Sequence, residues 1–336
     1  MRILQVLLSP CISGATTLAD QLAERWRASG ADVAISYLDS DEKRGRLERW
    51  LVLRRAMRDF GPDVVVSHSV IPNVYARLAA GARYPVITVL HSGSDDYSDL
   101  ALRMCEWFLG GRTSRVVAVS QPQAKSYLAY FPRRKRRLIV VPNGVRDDIN
   151  AKNTAGQTPN RVGVTARVDT VKRPDVWVNA AKSVLRNYSS LQFNWWGPVS
   201  DGWSEQEIAA IQSEDDSIRF HGATSRVPEA LRSIDIYFHT ADWEAFSISI
   251  LEAGVAGLPV VCSDAVAATL PPGLAADTFR TGDASSAAAA LERVIDDFPE
   301  RSRVARARAS VLLETFSMER CAQRYLDVID GVLKSE

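Results

Sequence analysis

The sequence predicts an α/β protein made of two doubly wound halves, each a parallel sheet covered by helices on both faces. Three observations carry that reading. Short β-branched apolar runs alternate with helical patterns, as they do where a parallel sheet is buried on both sides. The alternation occurs twice, on either side of a polar stretch at 146–160 that has little apolar content. The chain has 336 residues, more than one compact core usually organises.

The elements follow in order. Residues 3–8, Ile-Leu-Gln-Val-Leu-Leu, read as a first buried strand. The run is too short, and is interrupted by Gln5, for a secretion signal. Further strands are expected at 33–37, 64–67, 86–90, 116–119 and 138–141, with helical patterns at 17–28 and 47–58. These define a first domain over 1–145, and 146–160 reads as the linker. A second series gives strands at 162–166, 191–195, 218–220, 234–238 and 260–262, with helices at 174–186, 204–211 and 248–254. It defines a second domain over 161–315. The C-terminal stretch is helical in pattern, and Phe316-Ser317-Met318-Glu319 offers the start of a last helix over 316–336. Two such domains are expected to face a cleft at the carboxyl ends of their strands, where doubly wound sheets bind ligands.

Composition narrows the function classes. Apolar residues are 46% and charged residues 24%, ordinary for a soluble globular chain. No run approaches the roughly 18 apolar residues of a spanning helix. Cys11, Cys105, Cys262 and Cys321 lie far apart with no CxxC. That suggests neither a disulfide framework nor a zinc site, and fits a reducing cytoplasm. Residues 1–150 hold 22 Lys and Arg against 15 Asp and Glu, and the remainder holds 19 against 25. A basic first half suits an anionic surface or acceptor, and equally the surface drift of two domains. Nothing points to nucleic acid.

Residues 244–252, Glu-Ala-Phe-Ser-Ile-Ser-Ile-Leu-Glu, put two carboxylates in a stretch that passes from loop to helix. Ser247 is a natural cap there, and a helix starting at Ile248 presents free backbone N–H groups to an anion. A small-residue helix and a buried strand follow, Ala-Gly-Val-Ala-Gly-Leu-Pro-Val-Val-Cys at 253–262. Arg167 and Lys172 sit just past the strand at 162–166. Taken together, these segments resemble the signature of retaining glycosyltransferase family 4, glycosyl transferases group 1, with the GT-B fold of two Rossmann-like domains.

The resemblance implies a reaction and a set of roles. The enzyme would be a hexosyltransferase-type glycosyltransferase, moving a sugar from a nucleotide-sugar donor to an acceptor hydroxyl in cell-surface glycan or glycoconjugate synthesis. Glu244 would hold donor-sugar hydroxyls, and Glu252 the nucleotide ribose. Phe246, Ser247 and Ile248 would line the donor site, and Arg167 and Lys172 would stabilise the leaving diphosphate in place of a metal. No other cofactor is implied. His91, at the end of the strand at 86–90, matches a family histidine that faces the donor sugar. A lone histidine is also often structural. Gly14, between the first strand and helix, would allow close backbone approach or simply make a turn. The chain departs from the family at Ala166, Arg173, Ala245 and Ser247, where glycines are usual.

The rivals are a nucleotide-sugar epimerase on the same fold and a non-catalytic sugar-nucleotide-binding protein. Asp39-Ser40-Asp41 reads as helix capping rather than a metal site. The Arg-rich pattern at 43–58 and the basic run Arg133–Arg137 read either as a contact with anionic lipid or as a packing helix and a solvated loop. The first alternative places the enzyme in the cytoplasm, peripheral on the inner face of the membrane, with a glycan or lipid-linked acceptor.

Overall fold

The computed structural model describes residues 1–11, 14–39, 44–91, 97–151 and 158–335. Ser13, Asp41, Lys43 and residues 152–157 of the expected linker lie outside the described residues. The chain divides into two compact units, Met1–Gly144 with Phe316–Glu336, and Val145–Thr315.

The first unit holds β1 (Arg2–Leu7), β2 (Asp32–Tyr37), β3 (Val64–His68), β4 (Val86–Leu90), β5 (Arg115–Ala118) and β6 (Leu138–Val140). They form one parallel sheet in the order β2-β1-β3-β4-β5-β6. The winding direction reverses at β1, so β1 and β3 flank the switch point of this sheet. Ile3, Leu4 and Val6 of β1 are fully buried, and the buried Gln5 donates from Nε2 to the Ala19 carbonyl at 2.7 Å. The last helix, Met318–Leu333, is capped by Ser317, whose hydroxyl accepts the Arg320 N–H. It packs on the helix Gly14–Ala28 through Trp26, which donates to the Ala322 carbonyl at 3.2 Å and meets Tyr325 edge-on. Gly144 lets the backbone approach the start of that last helix: a Cβ there would lie 2.7 Å from the Met318 Cα.

The second unit holds β7 (Arg161–Thr165), β8 (Gln192–Trp196), β9 (Ile218–Phe220), β10 (Ile236–His239), β11 (Val260–Ser263) and β12 (Ala275–Phe279). Its parallel sheet runs β12-β11-β10-β7-β8-β9. Trp177 is the centre of its core, meeting Phe193 and Trp195 edge-on and donating to the Phe238 carbonyl.

Two sheets of six parallel strands therefore stand where eleven strands were expected. The additional strand is β12, whose Ala-Ala-Asp-Thr-Phe sequence is mostly half-buried and lacks an apolar run. Asp39 does not cap the following helix. Gly45 occupies that N-cap without a side-chain bond. The Asp39 carboxylate instead takes a two-pronged ion pair from Arg49, at 2.7 Å on each oxygen, and the Arg44 N–H. Tertiary pairing with a guanidinium outcompetes local capping because Arg offers two parallel N–H bonds.

One charged network is sealed in the first unit. Arg77 pairs with Glu106 at 2.7 Å, with 1% and 4% of their side chains exposed, and the Tyr127 hydroxyl donates to the same carboxylate at 2.6 Å. Removing one partner strands a buried charge, which costs about 3–5 kcal/mol. Glu106→Ala is therefore expected to lose stability on that order in urea unfolding, whereas an exposed control such as Glu24→Ala should change it by less than about 0.5 kcal/mol.

Candidate functional site

In the second unit β7 and β10 are neighbours although 70 or so residues separate them in sequence, with Val162 and Gly163 registered against Ile236 and Tyr237. The loops leaving their carboxyl ends are thereby brought side by side. The first carries Arg167, Asp169 and Lys172, and the second carries Asp242 and Glu244. Several ties bind them, among them the Asp242 N–H donating to the Val171 carbonyl at 2.9 Å. Lys172 Nζ donates to Glu244 Oε1 at 2.5 Å. Arg173 Nη1 donates to Asp242 at 3.0 Å. The Thr240 hydroxyl donates to the carbonyls of Lys172 and Arg173.

Arg173 stands where the resembled family has glycine, and its backbone is left-handed, with φ 53°. That conformation costs a non-glycine residue roughly 1–2 kcal/mol. The side chain offsets this strain with a two-pronged bond to Asp175 and the bond to Asp242, which hold the guanidinium protonated. The first loop is crowded from the other side by Gly197, where a Cβ would lie within bonding range of the Ala166 carbonyl oxygen. Trp195 Nε1 donates to that same carbonyl at 2.7 Å.

The charges are arranged in pairs. Asp169 is buried and holds Arg167 through Oδ2 at 2.9 Å and the Lys172 backbone N–H through Oδ1 at 3.0 Å. It thus fixes the spacing between the two cations. Burial alone would raise the Glu244 carboxyl, but the Lys172 ammonium and His239 outweigh it and bring the carboxyl down to about 2. His239 accepts the Ala241 N–H at Nδ1 and turns Nε2 toward Glu244 Oε1 at 3.4 Å. Ser247 also donates to Oε1. All contacts of Glu244 go to that one oxygen, so Oε2 has no partner among the described residues.

Ser247 occupies the N-cap of the helix Ile248–Val255 but makes no capping bond. Its hydroxyl is drawn to Glu244 instead. No acid stands in the first turn, so the leading N–H groups and the positive end of the helix dipole are open to an anion. Glu252 lies on this helix, 8% exposed, and its carboxylate has no hydrogen bond among the described residues. Burial raises it to about 7, against the pull of Arg146 and with a push from Asp148. Phe246 and Ala245 are buried.

The remaining candidates belong to the first unit. Gly14 begins the helix Gly14–Ala28, and a Cβ there would meet nothing within 4 Å. The structure therefore gives no steric need for glycine at that position. His91 follows β4 and is joined by His68, the last residue of β3. His68 Nδ1 lies 2.9 Å from His91 Nε2, and His68 Nε2 lies 2.9 Å from Gln5 Oε1. Burial lowers His91 to about 4 and His68 well below its usual range, so both are neutral at pH 7. The proton positions follow. The Gln5 amide nitrogen is committed to Ala19, so its oxygen accepts and His68 Nε2 carries hydrogen. His68 Nδ1 is then a lone pair, and His91 Nε2 must donate to it. His91 Nδ1 is left as a lone pair, suited to a hydroxyl rather than to a phosphate.

Asp169 and Gly197 in the second unit, and the Gln5 contact of His68 in the first, were not brought forward by sequence reading. The spacing Arg-Val-Asp-x-x-Lys at 167–172 carried a signal for Asp169. Among the described residues no group of three His, Cys, Asp or Glu side chains converges to hold a metal ion.

Comparison with known proteins adds the following. Residues 12–149 match the family described as Glycosyltransferase Family 4, and residues 159–297 match the family described as Glycosyl transferases group 1. The lipopolysaccharide core biosynthesis mannosyltransferase LpsB of Rhizobium meliloti (strain 1021) is 26% identical over 204 residues, 56% of this chain and 57% of that protein. The match thus spans little more than half the length of that curated relative. The crystal structure of Anabaena HepE in complex with UDP-glucose superposes with a TM-score of 0.81 at 18% identity, over 100% of both chains. That of WaaG, a glycosyltransferase involved in lipopolysaccharide biosynthesis, gives 0.76 at 14% identity, over 98% of this chain and 100% of that one. At these identities the structural likeness establishes the fold.

Two measurements check the site's electrostatics. Unfolding frees Glu252 from burial, so between about pH 4.5 and 7 the unfolded state ionises first and stability falls as pH rises. Glu252→Gln should stabilise the protein at pH 8 by on the order of 3 kcal/mol and leave it unchanged near pH 4, by thermal unfolding. Long-range proton–nitrogen NMR correlations on labelled protein should show His68 and His91 both protonated at Nε2 alone at pH 7. A proton on His91 Nδ1 would contradict the relay.

Proposed function

We propose that this chain, whose fold is that of the GT-B glycosyltransferase structures and whose two halves each match a glycosyltransferase family model, is a retaining hexosyltransferase acting on a nucleotide sugar. The reading rests on one observation: the Lys172–Glu244 pair stands beside an uncapped helix start past β7 and β10, and that helix carries Glu252, buried with no hydrogen bond to its carboxylate among the described residues. An anionic diphosphate suits the helix N-terminus together with Arg167 and Lys172. Glu252 would accept the ribose hydroxyls, and the free Oε2 of Glu244 the hydroxyls of the sugar. His91, in the first unit, would accept a hydroxyl hydrogen bond through Nδ1.

In the proposed reaction the acceptor oxygen bonds to the anomeric carbon on the face from which the phosphate departs. The acceptor proton passes to the leaving phosphate oxygen, so no side-chain base is needed. Lys172 and Arg167 act by stabilising negative charge that grows as the glycosidic bond breaks. Lys172 is bound to Glu244, and sharing it with the diphosphate would leave Glu244 freer to take the sugar.

HepE carries UDP-glucose in its crystal structure, which makes uridine diphosphate sugars the first donors to try. The names of LpsB and WaaG point to surface glycan synthesis, so the acceptor is proposed to be a glycan or lipid-linked glycan at the cytoplasmic face of a membrane. An epimerase would need no acceptor, and a binding protein would show no turnover.

A thermal-shift panel of sugar nucleotides, followed by turnover and NMR of the product anomer, tests the assignment. Lys172→Ala and Arg167→Ala should each lower kcat about 10²-fold or more while weakening donor binding less. Wild-type turnover should persist in EDTA. An inverted anomer would defeat the retaining mechanism, and near-normal kcat in a folded Lys172→Ala would remove its proposed role.

A further inference from the structure

The helix Leu100–Leu109 of the first unit is built inside out. It is rich in apolar residues, yet the residue it buries is the acid Glu106, held by Arg77 and Tyr127. Leu100, Met104, Trp107 and Phe108 are exposed, the two aromatics at 64% and 65%. Their spacing puts them on one side of the helix. Asp99 caps the helix by accepting the N–H groups of Ala101 and Leu102, so this is a formed element and not a frayed one. Trp107 and Phe108 pack edge to face, with centroids 4.7 Å apart.

A basic segment is pinned beside the aromatic end. Arg134 Nη2 donates to the Trp107 carbonyl, and Arg137 Nη1 donates to the carbonyls of Gly111 and Thr113 at 2.8 Å. Among the described residues none of Arg133, Arg134, Lys135, Arg136 and Arg137 pairs with a carboxylate. The Arg-rich helix Arg46–Phe60 differs in this respect. There Arg49 is bound to Asp39, Arg55 and Arg58 both reach Asp59, and Arg54 lies over the Trp50 ring. Its arginines at these positions are largely engaged, whereas 133–137 is a run of five consecutive basic residues without a carboxylate partner among the described residues.

We propose that this surface seats the protein on an anionic lipid bilayer, with Trp107, Phe108, Met104 and Leu100 entering the headgroup–acyl boundary and Arg133–Arg137 lying against lipid phosphates. The proposal deepens the membrane setting suggested above. An apolar stripe bordered by cations with no carboxylate partner among the described residues matches a bilayer interface, which offers hydrocarbon and negative charge in adjacent layers. Tryptophan fits that boundary because its ring is apolar and its N–H stays hydrated.

Flotation of the full chain with vesicles of phosphatidylcholine, with and without phosphatidylglycerol, provides the test. Binding is expected to anionic vesicles and to weaken with salt. The double variant Trp107→Ser with Phe108→Ser should bind at least about tenfold less while keeping its circular dichroism, its melting temperature and its turnover on a soluble acceptor. Arg133→Glu with Arg136→Glu should remove the salt-sensitive part. Absence of wild-type binding, or equal binding by the aromatic double variant, overturns the proposal. So does a dimer in sedimentation that the double variant disperses, with no vesicle binding, since the stripe would then face a second copy. Vesicle binding needs no donor, so failure of the transferase reading leaves this result standing.

Discussion

The Lys172–Glu244 ion pair organises the second unit's chemistry, and it exists because β7 and β10 are hydrogen-bonded neighbours. Each loop alone would hold a flexible charge in water. Side by side, they neutralise each other enough to be half-buried together, and the pair is tied down by Thr240 and by the Arg173–Asp242 bridge. An isolated buried charge would be expelled or discharged. The cost of this arrangement falls on the left-handed Arg173 and on the helix Ile248–Val255, which gives up its serine cap to Glu244.

The two carboxylates of the site are pushed in opposite directions. Glu244 is held down to about 2 by a cation at contact distance, and Glu252 is raised to about 7 by burial without a partner. Environments that separate two similar groups in this way commonly give them different tasks. Glu244 is a permanent anion with one oxygen committed and one open. Glu252 is a carboxyl whose ionisation is unfavourable until something donates to it, and a pair of ribose hydroxyls would do so. That coupling would make nucleotide binding and proton release one event.

Much of the fold was legible because parallel strands buried on both faces must be apolar runs, as β3 and β4 are. The strand β12 escaped because an edge strand covered on one side has no such obligation. The glutamate pair, Arg167 and Lys172 were legible because they lie in contiguous motifs. Gly197 and the His68–Gln5 relay were not, for a different reason. Gly197 matters through a carbonyl 31 positions earlier, and Gln5 meets His68 only because β1 and β3 pair. Such roles are set by which strands become neighbours, and sequence spacing does not encode that. Asp39 shows the converse error, since a local rule predicted a cap where a guanidinium ten residues on made the stronger bond.

The helix Leu100–Leu109 sets the largest tension in the first unit. Replacing the Arg77–Glu106 pair by well-packed apolar residues would commonly leave a protein as stable or more so. Turning the apolar stripe inward would also remove exposed tryptophan and phenylalanine from water, a gain of about 1.5–3 kcal/mol for each large side chain fully buried. Both changes favour the opposite orientation. The buried pair therefore acts as a directional anchor. It can be satisfied only with Glu106 facing Arg77 and Tyr127, and a helix rotated to bury its stripe would strand the arginine. Specifying orientation through an interaction that cannot be satisfied any other way is how buried polar groups contribute to uniqueness rather than to stability. In this unit, that uniqueness consists of an apolar face kept outward beside five uncompensated basic side chains.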